Sequence, residues 1–211
     1  MSVLQTTSTR DALVTELRRR ILSGELPPGT PLTEASVAST FGVARPTVRS
    51  ALQVLVSRRL VQPSDGRSLI VPVLSKADVR DLFFVRTPLE LAAVRLIVRN
   101  EYSLAEPASR LEAMAELPGD ASWADLVEAH TRFHVALIDS AGSPRLSRIY
   151  PPLQEEMQLC LAQLKADYPE PEDLAKEHRI LLAAIASGDE DFACDTMQAH
   201  LEQAVRNFMS R

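Results

Sequence analysis

Apolar residues mark three short helical stretches in the first third of the chain. Leu13, Leu17, Ile21 and Leu22 fall at helical intervals, Ser8 and Asp11 are spaced as a capping box ahead of them, and Gly24 closes the run. After a rigid Pro27-Pro28-Gly29 connector, Thr33 is placed to cap a second helix of about two turns that carries Val37 inward and ends at Gly42. Pro46 suits the first turn of a third helix, because its missing N–H would have no helical acceptor there. Val48, Ala51, Leu52 and Leu55 give that helix its buried face and leave Thr47, Arg49 and Ser50 pointing elsewhere. Leu60, Val61 and Pro63, then Asp65-Gly66, then Leu69-Ile70-Val71 predict a short strand pair around a tight turn.

After Ser75 the pattern changes and every apolar repeat is helical. Ser75 with Asp78, Ser103 with Glu106, and Ser122 with Asp125 repeat the capping spacing. Pro88 is expected to kink or divide the first of these helices. A long helix is expected from Ser143-Pro144 to Lys165, bent at Pro151-Pro152; another follows Pro169 and Pro171 and ends at Gly188; the last runs from about Asp189 to Met209. The fold class is therefore mainly α, with a winged helix-turn-helix domain over residues 1–75 and an all-helical bundle over residues 76–211.

The 211 residues are 45% hydrophobic, with 7 glycines and two cysteines, Cys160 and Cys194, which excludes a disordered chain, a collagen and a disulfide scaffold. No apolar run approaches the roughly 18 residues of a membrane span and Met1–Thr9 lacks a secretory pattern, so a reducing, cytoplasmic location is expected. The net charge of -5 divides unevenly: residues 1–75 hold 9 arginines and no lysine against 5 acidic residues, and the excess acid lies in the remainder. A basic domain joined to an acidic one suits a nucleic-acid reader with a sensing or oligomerising module, although chance partition gives the same numbers.

On the third helix, Arg45 and Arg49 are one turn apart beside the apolar stripe, so both guanidiniums can reach outward and donate pairs of hydrogen bonds to guanine. Thr47 could bond a phosphate or pack against a thymine methyl. Gly66 would let the wing tip approach a duplex, with Arg67 entering the minor groove or meeting phosphate; a plain hairpin explains Asp65-Gly66 equally well. Arg10, Arg18, Arg19 and Arg20 suit phosphate contact or solubility.

All 4 histidines lie in the acidic half, and His130 and His134 share one helix face. His178 lies on the stripe of Leu174, Leu181 and Ile185, and His200 sits between Met197 and Ala204. Four inward imidazoles could converge on a divalent transition metal or could be four separately satisfied core histidines. His130-Thr131-Arg132-Phe133-His134 has the spacing of a zinc protease helix, but Thr131 replaces the glutamate base, and no phosphate loop or nucleophile elbow occurs, so an enzyme, including a metal-dependent hydrolase, is not expected.

Leu26-Pro27-Pro28-Gly29-Thr30-Pro31-Leu32-Thr33-Glu34-Ala35 and Phe41-Gly42-Val43-Ala44-Arg45-Pro46-Thr47-Val48-Arg49 resemble the DNA-binding domain of the GntR family of bacterial transcription regulators. The later half resembles the helical FCD ligand-binding domain of the FadR subfamily. Ala35, Ala44 and the order Pro46-Thr47 depart from the common family pattern. The resemblance implies base reading by Arg45, mixed base or phosphate contact by Thr47 and Arg49, and a homodimer on a palindromic double-stranded DNA operator. It also implies a small carboxylate effector that releases a repressor. His134, His178 and His200 match the family's metal-binding histidines, in which zinc or nickel would be held, while His130 stands in the place of an aspartate. An ion there would keep its +2 charge and attract an anionic effector, or four histidines would close a structural zinc site. Arg86, with Glu90, matches the Arg-x-x-x-Glu part of Phe84-Val85-Arg86-Thr87-Pro88-Leu89-Glu90, where the family's arginine faces the ligand; a salt bridge from Arg86 to a neighbouring helix is the alternative.

Overall fold

The computed structural model describes residues 8–64, 66, 68–163 and 171–209. The chain forms two compact units, Met1–Val73 and Leu74–Arg211.

The first unit contains α1 (Thr9–Leu22), β1 (Pro31–Leu32), α2 (Glu34–Phe41), α3 (Arg45–Ser57), β2 (Gln62–Pro63) and β3 (Leu69–Ile70). Ser8 caps α1 by accepting from the Asp11 amide. Thr33 accepts from the Ser36 amide, and the Ser36 side chain reaches back to the cap backbone, completing a reciprocal box. Gly42 ends α2 at φ 65°, a left-handed conformation that a side chain would strain. Ala44 gives α3 no side-chain cap, and Pro46 occupies its first turn. Leu13, Leu17 and Ile21 of α1, Val37 of α2, and Val48, Ala51, Leu52 and Leu55 of α3 are buried together with Leu60 and Val61.

The sheet is antiparallel in the order β1-β3-β2, with Pro31 opposite Ile70 and Pro63 opposite Leu69. Sequence periodicity missed β1, which is only two residues long and holds a proline; an edge strand tolerates Pro31 because the ladder there needs no donor from it. Flanking the expected Asp65-Gly66 turn, the Ser64 amide donates to the Ser68 carbonyl. Asp65 and Arg67 lie outside the described residues.

The second unit contains α4 (Lys76–Arg99), α5 (Ala105–Ala115), α6 (Trp123–Ser140), α7 (Leu146–Gln163), α8 (Pro171–Ala186) and α9 (Glu190–Met209). Ser75 and Ser122 form the expected capping boxes with Asp78 and Asp125. The third does not form: Leu104 occupies the α5 cap, and Ser103 accepts from the Ala105 amide instead of starting the helix. Pro88 does not divide α4, because Phe83, Arg86, Glu90 and Ala93 anchor both flanks in the interior. Pro151 and Pro152 likewise lie within α7; they remove the donors that would reach the Ser147 and Arg148 carbonyls, yet the helix continues to Gln163. Asp189 precedes α9 and accepts from the Phe192 amide. Val94, Ile97, Phe133, Leu137, Met157 and Leu181 are among the buried residues of one apolar core.

Replacing Thr33 by Ala removes one half of the α2 capping box. Urea denaturation is expected to show a loss of about 1 kcal/mol in the first unit, with the second unit's transition unchanged.

Candidate metal centre and nucleic-acid interface

Arg45 and Arg49 are exposed on α3, Thr47 is half-buried, and the adjoining Val48, Ala51, Leu52 and Leu55 are buried, so the outward face forms as its spacing requires. One expectation needs correction. Arg49 does not reach outward alone: its Nε and Nη2 donate to Glu34 Oε1 and Oε2 of α2 at 2.6 and 2.9 Å. The pair lowers the Glu34 pKa and raises that of Arg49, in both cases chiefly through this hydrogen bonding. Gly66 is exposed, and its amide donates to Ser64 Oγ. The basic residues of α1 are engaged locally: Arg10 with Asp11, Arg19 with Glu16 and Glu25, and Arg20 with Glu16.

In the second unit, α6 carries His130 and His134, α8 carries His178 and α9 carries His200, and one nitrogen from each lies within 4.8 Å of the others. The rings form one cluster. His130 and His134 have centroids 4.6 Å apart, and His178 and His200 stand at 4.8 Å. His130, His134 and His178 are buried; His200 keeps some exposed surface although its ring nitrogens are deep. Burial, reinforced by the neighbouring imidazoles, holds His130 and His178 well below the ordinary histidine pKa and brings His200 down to about 3. These three are therefore neutral near pH 7 and have lone pairs to offer.

Hydrogen bonds fix the ring orientation of two of the four imidazoles. His134 Nδ1 faces Glu90 Oε2 at 3.0 Å, and His178 Nδ1 faces the Leu174 carbonyl at 2.7 Å; both partners only accept, so each Nδ1 carries the proton. Their Nε2 atoms face each other at 3.1 Å. A single proton or a shared cation can bridge two imidazole nitrogens at that distance. Two nitrogen ligands about 2.0–2.1 Å from one ion stand about 2.9–3.4 Å apart, so the spacing fits a shared metal. His130 Nδ1 is also buried without a hydrogen-bond partner.

Glu90 is central to the surrounding shell. Its Oε1 accepts from Arg86 Nη2 at 2.6 Å and from the Tyr150 hydroxyl at 2.7 Å, while Oε2 holds His134. Burial opposes its charge, but Arg86 and then His134 outweigh that and keep Glu90 below the ordinary carboxylate range. The same exchange keeps Arg86 charged, and burial raises Tyr150. Arg86 is thus not a freely presented clamp: its salt bridge is to Glu90 four residues on in α4, its Nη2 also donates to the Tyr150 hydroxyl of α7 at 3.3 Å, and its buried Nε has no partner.

Sequence reasoning missed Tyr150 and the role of Glu90 as the partner of His134. The Arg-Glu spacing at 86 and 90 was visible, but nothing in the sequence announced that α6 and α7 meet there. Cys160 is buried with its thiol pushed up to about 12, and Thr131 donates to the Val127 carbonyl of its own helix.

Residues 81–203 match the FCD domain family, and residues 9–71 match the family described as bacterial regulatory proteins, gntR family. The chain belongs to the gntR family and carries an FCD domain; it is a DNA-binding transcription regulator and not an enzyme. It is 29% identical over 193 residues to a probable D-xylose utilization operon transcriptional repressor of Paenarthrobacter nicotinovorans, spanning 91% of this chain and 83% of the relative. It is 25% identical over 206 residues to a gluconate operon transcriptional repressor of Bacillus licheniformis, spanning 94% and 84%. A crystal structure described as a GntR transcriptional regulator from Rhodococcus sp. RHA1 superposes with TM-score 0.85 at 25% identity, covering 97% of this chain and 99% of that one. No described helix is long and apolar enough to cross a membrane.

Glu90→Gln leaves the Arg86 charge buried without its counter-ion. Denaturation of the metal-free protein is expected to show a loss of about 3–5 kcal/mol, a far larger change than the same substitution at an exposed glutamate.

Proposed function

We propose that the protein is a metal-containing repressor of the FadR subfamily, released from its operator by a small organic acid. Residues 1–75 bind DNA through Arg45, Thr47 and Arg49 on α3 and through Gly66 and Arg67 of the wing. Residues 76–211 bind the metal and effector and form the homodimer. Two copies related by a two-fold axis present two α3 helices to a palindrome, in the cytoplasm where the operator lies. The repressor names of the relatives support the sign of regulation, and the name of the gluconate operon repressor supports an acid as effector.

The observation that carries the metal reading is the pair of tautomer-fixed Nε2 atoms of His134 and His178 facing each other. His130, His134, His178 and His200 would hold a divalent transition metal, zinc or nickel, and the bound ion would supply Lewis acidity and positive charge for an acid ligand. Glu90 fixes the His134 ring and Leu174 fixes that of His178. Arg86, through its unpartnered Nε, contacts the effector. The Leu74 amide donates to Gln163 Oε1 of α7, so displacement of α7 by an effector reaches the stretch at residues 72–76 that precedes α4. An acid releases the repressor only as far as it binds the released arrangement more tightly.

Elemental analysis of purified protein is expected to find one zinc or nickel per chain, lost in His134→Ala and His178→Ala. Equal, metal-free preparations of all three would remove the site. Four nitrogens also suffice for a closed tetrahedral zinc, a second reading in which chelation unfolds the bundle; under the effector reading the chelated protein stays folded and loses acid binding.

On DNA, Arg45→Ala with Arg49→Ala is expected to abolish specific operator binding while sedimentation still reports a folded dimer. Wild-type affinity should fall steeply between 50 and 200 mM salt, by about a thousandfold if about six phosphates are contacted.

A further inference from the structure

Tyr150, Gln154 and Gln158 recur every four residues on the buried side of α7. The first and last have partners: the Tyr150 hydroxyl meets Glu90 and Arg86 of α4, and Gln158 Nε2 donates to Glu128 of α6 at 3.0 Å. Glu90 in turn holds His134. These two ties bracket Gln154, placing it level with the stretch of α6 between Glu128 and His134, where His130 sits. Gln154 is 0% exposed, yet neither its Nε2 nor its Oε1 has a partner. The Nε of Arg86, whose Nη2 donates to the Tyr150 hydroxyl from α4, is buried and unpartnered as well.

A buried amide with both ends unmet destabilises a fold, and such groups otherwise find partners in the great majority of cases. We infer that Gln154 reads a hydroxyl group on the effector, so that the ligand class is hydroxylated carboxylic acids rather than plain fatty or dicarboxylic acids. A carboxylate only accepts hydrogen bonds and would be repelled by Oε1. A hydroxyl both donates and accepts, and the amide offers one atom of each kind. Arg86 has its charge matched by Glu90 and retains Nε as a single directed donor, suited to a neighbouring oxygen. The inference rests on the reading of the bundle as an acid-binding pocket and deepens it by naming the feature that the pocket selects.

The test uses the full chain as purified and three pairs of acids titrated by calorimetry: lactate with propionate, malate with succinate, and gluconate with hexanoate. Wild type is expected to bind at least one hydroxylated member roughly tenfold or more tighter than its deoxy partner, and Gln154→Met to narrow that ratio to about twofold. A second readout needs no ligand: Gln154→Met and Gln154→Leu are expected to raise the thermal midpoint of the unliganded protein, because they replace an unsatisfied amide with apolar atoms. Equal affinities within every pair would overturn the hydroxyl reading and leave the acid pocket standing. Binding of none of the six acids would overturn both. A lower midpoint in both variants would show that the amide is satisfied within the protein or by trapped water, and would also overturn the inference.

Discussion

The bundle's interior depends on one carboxylate having enough partners. Glu90 takes Arg86 and Tyr150 on one oxygen and His134 on the other, so residues from α4, α6 and α7 are tied at one buried point. An isolated anion there would cost several kcal/mol in lost hydration, and an isolated Arg86 a similar amount. Paired, each makes the other tolerable, and the pair then orients an imidazole. That imidazole donates from Nδ1 to the carboxylate, which aims its Nε2 at His178. Fold and candidate chemistry meet in this chain of obligations, and removing any one member leaves another polar group stranded.

The DNA-binding half was the more legible. Its helices are short, capped by recognisable side chains and separated by prolines and glycines, so local rules nearly suffice: Ser8, Thr33, Gly42 and Pro46 do what their spacing demands. What escaped was non-local. Strand β1 exists only because β3 pairs with it, and the Arg49 fork is occupied by Glu34, fifteen residues earlier and on another helix. In the bundle, the four histidines could be grouped from helical periodicity, but their tautomers could not, since these depend on Glu90 and on the Leu174 carbonyl. The prolines are a related case. Division at Pro88 was one of the two outcomes its position allowed, whereas burial on both sides keeps α4 continuous, as α7 is through Pro151 and Pro152, despite the missing donors.

The Glu34 contact also alters how the reading head is understood. A guanidinium held bidentately is pre-oriented, and one of its faces is already committed. Engagement of a guanine by Arg49 would require either the remaining donors or an exchange of the carboxylate for the base. Arg45, which opens α3, is exposed, whereas Arg49 is held by Glu34, and the two arginines are therefore unequal despite their shared face.

The replacement of an expected aspartate by His130 has a thermodynamic consequence. If the proposed ion binds, four imidazole ligands would give it no countercharge among its direct ligands, so cation and acid would each supply what the other lacks. Linkage then makes their effects reciprocal: whatever factor the ion adds to acid affinity, the acid adds to ion affinity. Under the proposed function, such a regulator would report a coincidence, responding to the joint supply of metal and metabolite rather than to either concentration alone.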